Sequence, residues 1–501
     1  MRRLLHAFVA LFVGLLAIRA ENALAQLPTP VNIVPVTNRT EATAPLVTGE
    51  PSLAYDVIPM TFCQPCTQHH SAACACTDRL AFRFPDSSFI FGGWAQQGYT
   101  FNPDNPSNGL NAPVLFNDKA NEYQLNQLYL FMGREVVTNG DNWDIGGRVD
   151  VMYGTDSRFV TVPGWEEHTD RTPRLNSDSS DYGIAIPQTY LDIGTPAGPY
   201  GSTLRVGHFY ALGGYETFAA PDNFFYSHAY TYTYGEPFTH TGAMWFGKLS
   251  PTLAVAVAGT TGWDSFYSDD DEWGLRIGMM HKTIDGRTTI ALTGHSGKDF
   301  TGVTTTDGTE SDTRVWASLV LKHYFNQGLY YVFQGDFGQQ EDAVVVVNNT
   351  SNTISFDTAR WWGINQYLVQ QINEQWSAGM RVEWFRDDGN SRVGVPVRYT
   401  NGGPAFHDSD YFAITAGLNF KPHSNVLLRQ ELRWDTTNVE SNPAVPGGIP
   451  GIRPFNDRSA QRPTDLGVRL SSAVLAPSQP SPPLFVCLVP RHTNNGEKQK
   501  K

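Results

Sequence analysis

Charge is scarce in this chain. Lys, Arg, Asp and Glu make up 17% of its 501 residues, below the roughly 25% of ordinary soluble domains. The balance is acidic, with a formal net charge of −13, and no extended basic block occurs, so the footprint of a nucleic-acid binder is absent. Long apolar runs are also lacking. Beyond residue 20 nothing approaches the roughly 18 uninterrupted apolar residues of a spanning helix. The mean hydropathy, −0.31, is too polar for a helical membrane protein. Neither absence excludes strands that cross a membrane, because only alternate positions of such a strand meet lipid. Cysteine is sparse and clustered: four of the five lie between Cys63 and Cys76. No glycine-rich phosphate loop is present. "TGHSGKD" (293–299) falls short of a nucleophile elbow, because Lys298 stands where the last Gly is needed and no strand-turn-helix context surrounds it. "WEEHTD" (165–170) lacks the helical metalloprotease spacing.

Glycine (46 residues) and aromatic side chains (12%) are plentiful, which suits strands, tight turns and interfacial rings. The first 25 residues read as an export signal. Arg2 and Arg3 precede an apolar core, Leu4–Ile18, and Ala23-Leu24-Ala25 supplies the small-x-small cleavage pattern, leaving Gln26 as the mature start. The competing reading is a buried N-terminal helix. Residues 26–87 have no strong periodicity and read as a periplasmic N-terminal segment holding Cys63, Cys66, Cys74 and Cys76, with His69 and His70 between them. The gaps match no standard zinc module, and an exported protein meets an oxidising compartment, so disulfides are favoured over metal there. Cys487 is unpaired by count, and no cofactor is expected.

From Ser88 to about Leu470 strand-like runs recur, about sixteen of them. "NWDIGGRVDVMYG" (142–154) shows the pattern: Trp143, Ile145, Val149, Val151 and Tyr153 alternate with Asp144, Arg148, Asp150 and Met152. Period two is the signature of a strand with one apolar and one polar face. The same alternation places Trp376, Met380, Val382 and Trp384 opposite Arg381 and Glu383, although Phe385 breaks the polar set. It also places Leu428, Leu432 and Trp434 opposite Arg429, Glu431, Arg433 and Asp435, with Gln430 on the apolar side. Tight turns such as "KLSPT" (248–252), "TIDGR" (283–287), "FNQG" (325–328), "QINEQ" (371–375) and "KPHSN" (421–425) alternate with long polar stretches, among them 156–180, 214–239 and 339–357. A barrel with short turns at one end and long loops at the other has this parity, whereas a sandwich has no reason to keep it.

The expected fold is therefore all-β: a transmembrane antiparallel up-and-down β-barrel of about 16 strands, over 88–470, with short periplasmic turns and long extracellular loops. Trp143 and Tyr153 would stand roughly 25 Å apart along the barrel axis, the height of the apolar band between two aromatic girdles. Trp273, Trp376, Trp384 and Trp434 extend those girdles. The polar faces line the lumen with Asp144, Arg148, Asp150, Arg276, Lys282, Asp336, Arg381, Glu383, Arg429, Glu431, Arg433, Asp465 and Arg469. A barrel this wide is expected to enclose water. The wall charges nearly balance, so they set no ion preference. The acidic run at 268–272 is either a divalent-cation loop or a solvated one.

The stretch Gly214–Thr239 is exceptional, being dense in Phe and Tyr. An exposed loop so apolar is unusual. Folding into the lumen would bury the rings and make Asp222, His228, Glu236 and the adjoining His240 candidate constriction groups; the alternative is a lid on the rim. Here the sequence resembles a known family. "LRVGHFYALGGYETFAAPDNFFYSHAYTYTYGEPFTHTGAMW" with "GTTGWD", and "GWAQQGYTFNP", "NAPVLFND" and "NEYQLNQLYLFMGRE" nearer the start, are similar to the OmpL-like putative β-barrel porin-2 family of bacterial outer membranes, over about 85–470. The resemblance implies an outer-membrane porin that passes small hydrophilic solutes and has no catalytic residues, with lipids and the barrel-assembly machinery as partners and a homo-oligomer possible. Family members usually end on a strand with a terminal aromatic. Here "TDLGVRL" is followed by a Pro-rich stretch, 471–501, that reads as a disordered tail. The alternatives to a porin are a plugged structural barrel and a barrel-embedded hydrolase. The hydrolase needs a Ser-His-acid cluster on an outward face, while alternation sends polar clusters inward.

Overall fold

A computed structural model describes residues 81–83, 89–438, 468–469 and 473–475, except 107–108, 139, 141, 169–171, 177–180, 267–272, 299–312, 349–352, 389–391 and 394–407. The signal-like stretch, the four clustered cysteines, Cys487, the acidic run 268–272 and Asp465 lie outside the described residues.

The strands are β1 (Ala81–Arg83), β2 (Phe89–Thr100), β3 (Glu122–Arg134), β4 (Asp144–Gly154), β5 (Gly183–Thr195), β6 (Ser202–Tyr210), β7 (Thr239–Ser250), β8 (Leu253–Thr260) and β9 (Gly274–Lys282). They continue as β10 (Thr288–Lys298), β11 (Thr313–Tyr324), β12 (Leu329–Asn348), β13 (Thr353–Gln371), β14 (Trp376–Asp388), β15 (Ser409–His423), β16 (Val426–Thr437), β17 (Val468–Arg469) and β18 (Ala473–Leu475). From β2 to β16 each strand pairs antiparallel with the next in sequence. The ring of pairings returns through β18, which joins Val426–Leu428 of β16 to Ala95–Gln97 of β2. Fifteen long strands and a short closing segment thus occupy the sixteen expected positions. No helix of the described residues is long and apolar enough to cross a membrane.

Register decides which face is which. Cross-strand partners share a face. Leu130 pairs with Val151 and both are exposed, whereas Tyr129 pairs with Met152 and both are fully buried. Val257 and Ile277, partners across β8 and β9, are exposed as well. The apolar set therefore faces outward and the polar set inward, the inverse of a soluble sandwich. Trp143 and Trp273, just outside their strands, are 68% and 61% exposed. On β14, Trp376 stacks on Phe420 at 4.3 Å and the Trp384 indole donates to Asp410.

Three boundaries differ from the sequence reading. Residues 339–357 are not a loop: β12 and β13 run to Asn348 and from Thr353 as one long hairpin, whose Val-rich stretch favours extension. Ala81–Arg83, assigned by sequence to the N-terminal segment, pairs with Ile90–Gly92 of β2. The sheet closes at Ala473–Leu475, beyond Leu470 and inside the stretch read as tail. Edge hydrogen-bonding groups of β2 and β16 cannot be left unpaired in lipid, and this short segment pairs them.

Candidate functional site: the lumen and the segment folded into it

The connection between β6 and β7, residues 211–238, turns into the lumen. Its entry is Gly213-Gly214, with φ of +109° and +75°. A side chain at either position would be strained, and one at Gly213 would strike the Trp316 indole. The segment then crosses to the far wall, where small residues receive it. Ideal Cβ atoms on Gly379 and Gly417, neighbours on β14 and β15, would come within 2.5 Å of Phe224 and 2.9 Å of Phe225. Glycine at these two wall positions is what lets the rings dock. Tyr230, Tyr232, Tyr234 and Phe238 are all buried, and each such side chain contributes about 1.5–3 kcal/mol when withdrawn from water. The sequence left open a rim lid for this stretch; the structure places it within the barrel.

Polar groups of the wall meet the backbone of the segment, which carries no sheet ladder of its own. The Glu431 carboxylate accepts from the N–H groups of Tyr226 and Ser227 at 2.9 and 3.1 Å, and from the Ser227 hydroxyl. Glu383 accepts from the Tyr230 N–H at 2.7 Å, and Asp435 from the Tyr230 hydroxyl at 2.9 Å. Arg433 donates to the His228 carbonyl at 2.6 Å, and Arg429 to the carbonyls of Ala220 and Asn223 at 2.8 and 2.6 Å. At the centre Arg381 donates to Glu216 Oε1 and to the Ser227 carbonyl, both at 2.7 Å. Glu216 also accepts from the Ala229 N–H at 2.9 Å and lies 3.0 Å from His228 Nδ1. Burial alone would raise the Glu216 carboxyl; Arg381, His228 and the Ala229 N–H outweigh it and hold it down at about 2.

The expectation of a hydrated ladder of wall charges is corrected on this side. Arg381, Arg429 and Arg433 have no exposed surface, and Arg276, on β9, has 1%. In front of the first three the infolded segment takes the place of water, whereas Arg276 donates to Thr260 and to the Gly262 carbonyl. Asp336 is likewise occupied, by Trp316, Ser318 and Gln334, the last also donating to Glu236. Asp144 stands at the turn end of β4, on the alternation of Arg148 and Asp150. It accepts from the Val137 N–H at 2.8 Å and pairs with Arg134, tying the connection between β3 and β4. His240, adjoining the segment, is the second residue of β7 and is buried. Arg469 is the register partner of Glu431 in β17.

The opposite wall differs. Arg148 pairs with Asp150 at 2.6 Å and lies over the Phe131 ring. Arg205 pairs with Asp192 at 2.8 Å and lies over Tyr190. Both guanidinium side chains stay 12% exposed. Lys248 and Lys282, on the same inward face, are half-buried. Asp222 reaches this side from the tip of the segment. Burial pushes its carboxyl up to about 7, against the pull of Arg148 and Arg429, and its Oδ2 atom has no hydrogen-bond partner.

Sequence reasoning passed over Glu216, Asp192, Arg205, Lys248 and Asn365, the last accepting from the Thr231 hydroxyl at 3.2 Å. The last four alternate correctly for inward positions, so the signal was present at those sites. Glu216 was visible only within the stretch that carries the family resemblance. Among the described residues no cluster of His, Cys, Asp and Glu is arranged to hold a metal.

The profile of the family described as "Putative beta-barrel porin-2, OmpL-like" matches residues 88–456. No curated protein matches the sequence. Similar solved structures include the outer membrane channel DcaP of Acinetobacter baumannii (11% identity, TM-score 0.43, 79% of this chain and 97% of that one). Another is OmpT of Vibrio cholerae, an outer membrane protein, in its trimer form (10% identity, TM-score 0.45, 78% and 98%). OprB of Pseudomonas putida is a third (8% identity, TM-score 0.44, 80% and 94%).

Proposed function

The chain belongs to the OmpL-like putative β-barrel porin-2 family, and from that premise we propose that it is an outer-membrane porin through which small hydrophilic solutes diffuse passively. The observation that carries the reading is the inverted sheet: exposed Leu130, Val151, Val257 and Ile277 outside, and charged pairs such as Arg148–Asp150 and Arg205–Asp192 inside. A wide barrel with that polarity conducts along whichever part of its wall stays hydrated. The hydrated part is the stretch of wall where Arg148, Arg205, Lys248 and Lys282 keep solvent contact. Asp222 narrows that passage from the tip of the infolded segment. Function here is passage and not catalysis, since the polar side chains serve as wall and anchor. The chain reaches the outer membrane behind a cleavable signal, is inserted by the barrel-assembly machinery, and meets lipid through its outward belt.

Single-channel recording of the refolded full chain in planar bilayers tests this. Discrete conductance steps are expected. A second reading, a plugged barrel, is favoured by one observation: the segment 211–238 is tied to the wall by the buried Arg381–Glu216 ion pair and by hydrogen bonds with Glu383, Glu431 and Arg433. Folded protein that stays silent, together with steps from a variant lacking Phe224–Tyr234, would establish the plug and sink the porin.

A further inference from the structure

The inward faces of the strands opposite the docked segment carry an imbalance of charge that the whole-chain count hides. Between the level of Asp150 and the short turns, β4 to β11 present Arg148, Arg205, Lys248, Lys282 and Lys322 on the lumen side, with Asp144, Asp150 and Asp192 as the carboxylates there among the described residues. Register fixes the facing. Arg205 is the partner of Asp192, Lys248 of buried Ala254, and Lys282 and Lys322 both of buried Thr289. The exposed apolar residues Leu249 and Met279 alternate with them on the other face. All three carboxylates already bind a guanidinium: Asp150 that of Arg148 at 2.6 Å, Asp192 that of Arg205 at 2.8 Å and Asp144 that of Arg134 at 2.8 Å. The wall is thus net positive, although the chain carries −13. Lys322 lies over Tyr324 and Tyr330 at 5.0 and 4.7 Å from the ring centres and is buried. Low-dielectric walls focus the field of such charges into a cleft.

We infer that the periplasmic half of this lumen is an anion-attracting basin, and that the channel favours small anions over small cations. This rests on the porin reading and adds the class of solute. Asp222 of the segment is a further carboxylate placed beside this wall, next to Arg148; the carboxylates of the opposite wall lie elsewhere. Glu216, Glu383, Glu431 and Asp435 are buried against the segment and its arginines, where they neither face nor repel a passing ion.

The test is the zero-current potential of the full refolded chain in bilayers under asymmetric KCl. Chloride is expected to be several-fold more permeant than potassium, with the ratio falling toward unity as salt screens the wall. Replacing both Lys248→Gln and Lys282→Gln is expected to cut the ratio about two- to fourfold while channels still open, and the double Glu replacement is expected to cut it further. The Gln pair removes the charge but stays polar and adds none of the opposite sign, so it stands if the Glu pair does not fold. Channels that open but prefer potassium, or whose ratio ignores the Gln pair, overturn the inference and leave the porin intact. Folded barrels without conductance overturn both.

Discussion

The two walls of the lumen use similar residues to opposite ends. On the wall of β13 to β16, Arg381, Arg429 and Arg433 are completely buried and spend their hydrogen bonds on the infolded segment. On the wall of β4 to β9, Arg148 and Arg205 pair within their own sheet and keep solvent contact. The first wall holds a structure in place and the second keeps part of its charge in contact with solvent. An arginine on an inward strand position is therefore not by itself a pore residue. What lies in front of it decides.

The largest expected effect comes from breaking the anchoring wall. Arg381→Ala leaves Glu216 buried without its main cation and Glu383 with Arg433 alone, at a cost of about 3–5 kcal/mol. Guanidinium unfolding in lipid vesicles measures this, and proteolysis within 214–238 should accelerate. Arg205→Ala on the other wall removes a pair that water partly replaces, so the same titration should shift by only about 1–2 kcal/mol. Equal costs would erase the distinction between the walls.

A smaller effect separates rings from hydrogen bonds in the docking of the segment. Tyr230→Phe removes the donor to Asp435 and keeps the ring against Tyr411. The loss should be about 1.5–3 kcal/mol, below that of Arg381→Ala in the same unfolding experiment. A loss as large as the arginine's would mean that the hydroxyl and not the ion pair secures the segment.

The smallest effect is a pH dependence of selectivity. Asp222 faces Arg148 on β4, Arg429 on β16 and Tyr210 on β6. With its carboxyl pushed up to about 7 by burial, it is neutral below that value and anionic above it. Anion preference should therefore weaken as pH rises from about 6 to about 8, because a negative group then appears beside the basic wall. Asp222→Asn should flatten the profile. A preference that strengthens with rising pH would place Asp222 outside the passage.

Much of the architecture was legible residue by residue. Trp143 to Tyr153 announced a strand by alternation, and tight turns such as 283–287 alternated with long stretches in the parity of a barrel. The aromatic density of 214–239 marked a segment that could not lie in water. Errors fell where local pattern and long-range pairing disagree. The Val-rich end of β12 reads as a loop beside its polar neighbours, yet extends because β13 runs alongside it. The anchoring role of Arg381 and Arg433 was hidden, since their partners Glu216, Ser227 and His228 are more than 150 positions away in the chain.

The sequence by itself determined the sheet, its inside-out polarity and the presence of one unusual connection, because these follow from the period of side chains along single strands. Only the tertiary structure decided which lumen charges are anchors and which meet solvent. That outcome depends on where 211–238 comes to rest across the barrel, and no local periodicity encodes a contact between opposite walls.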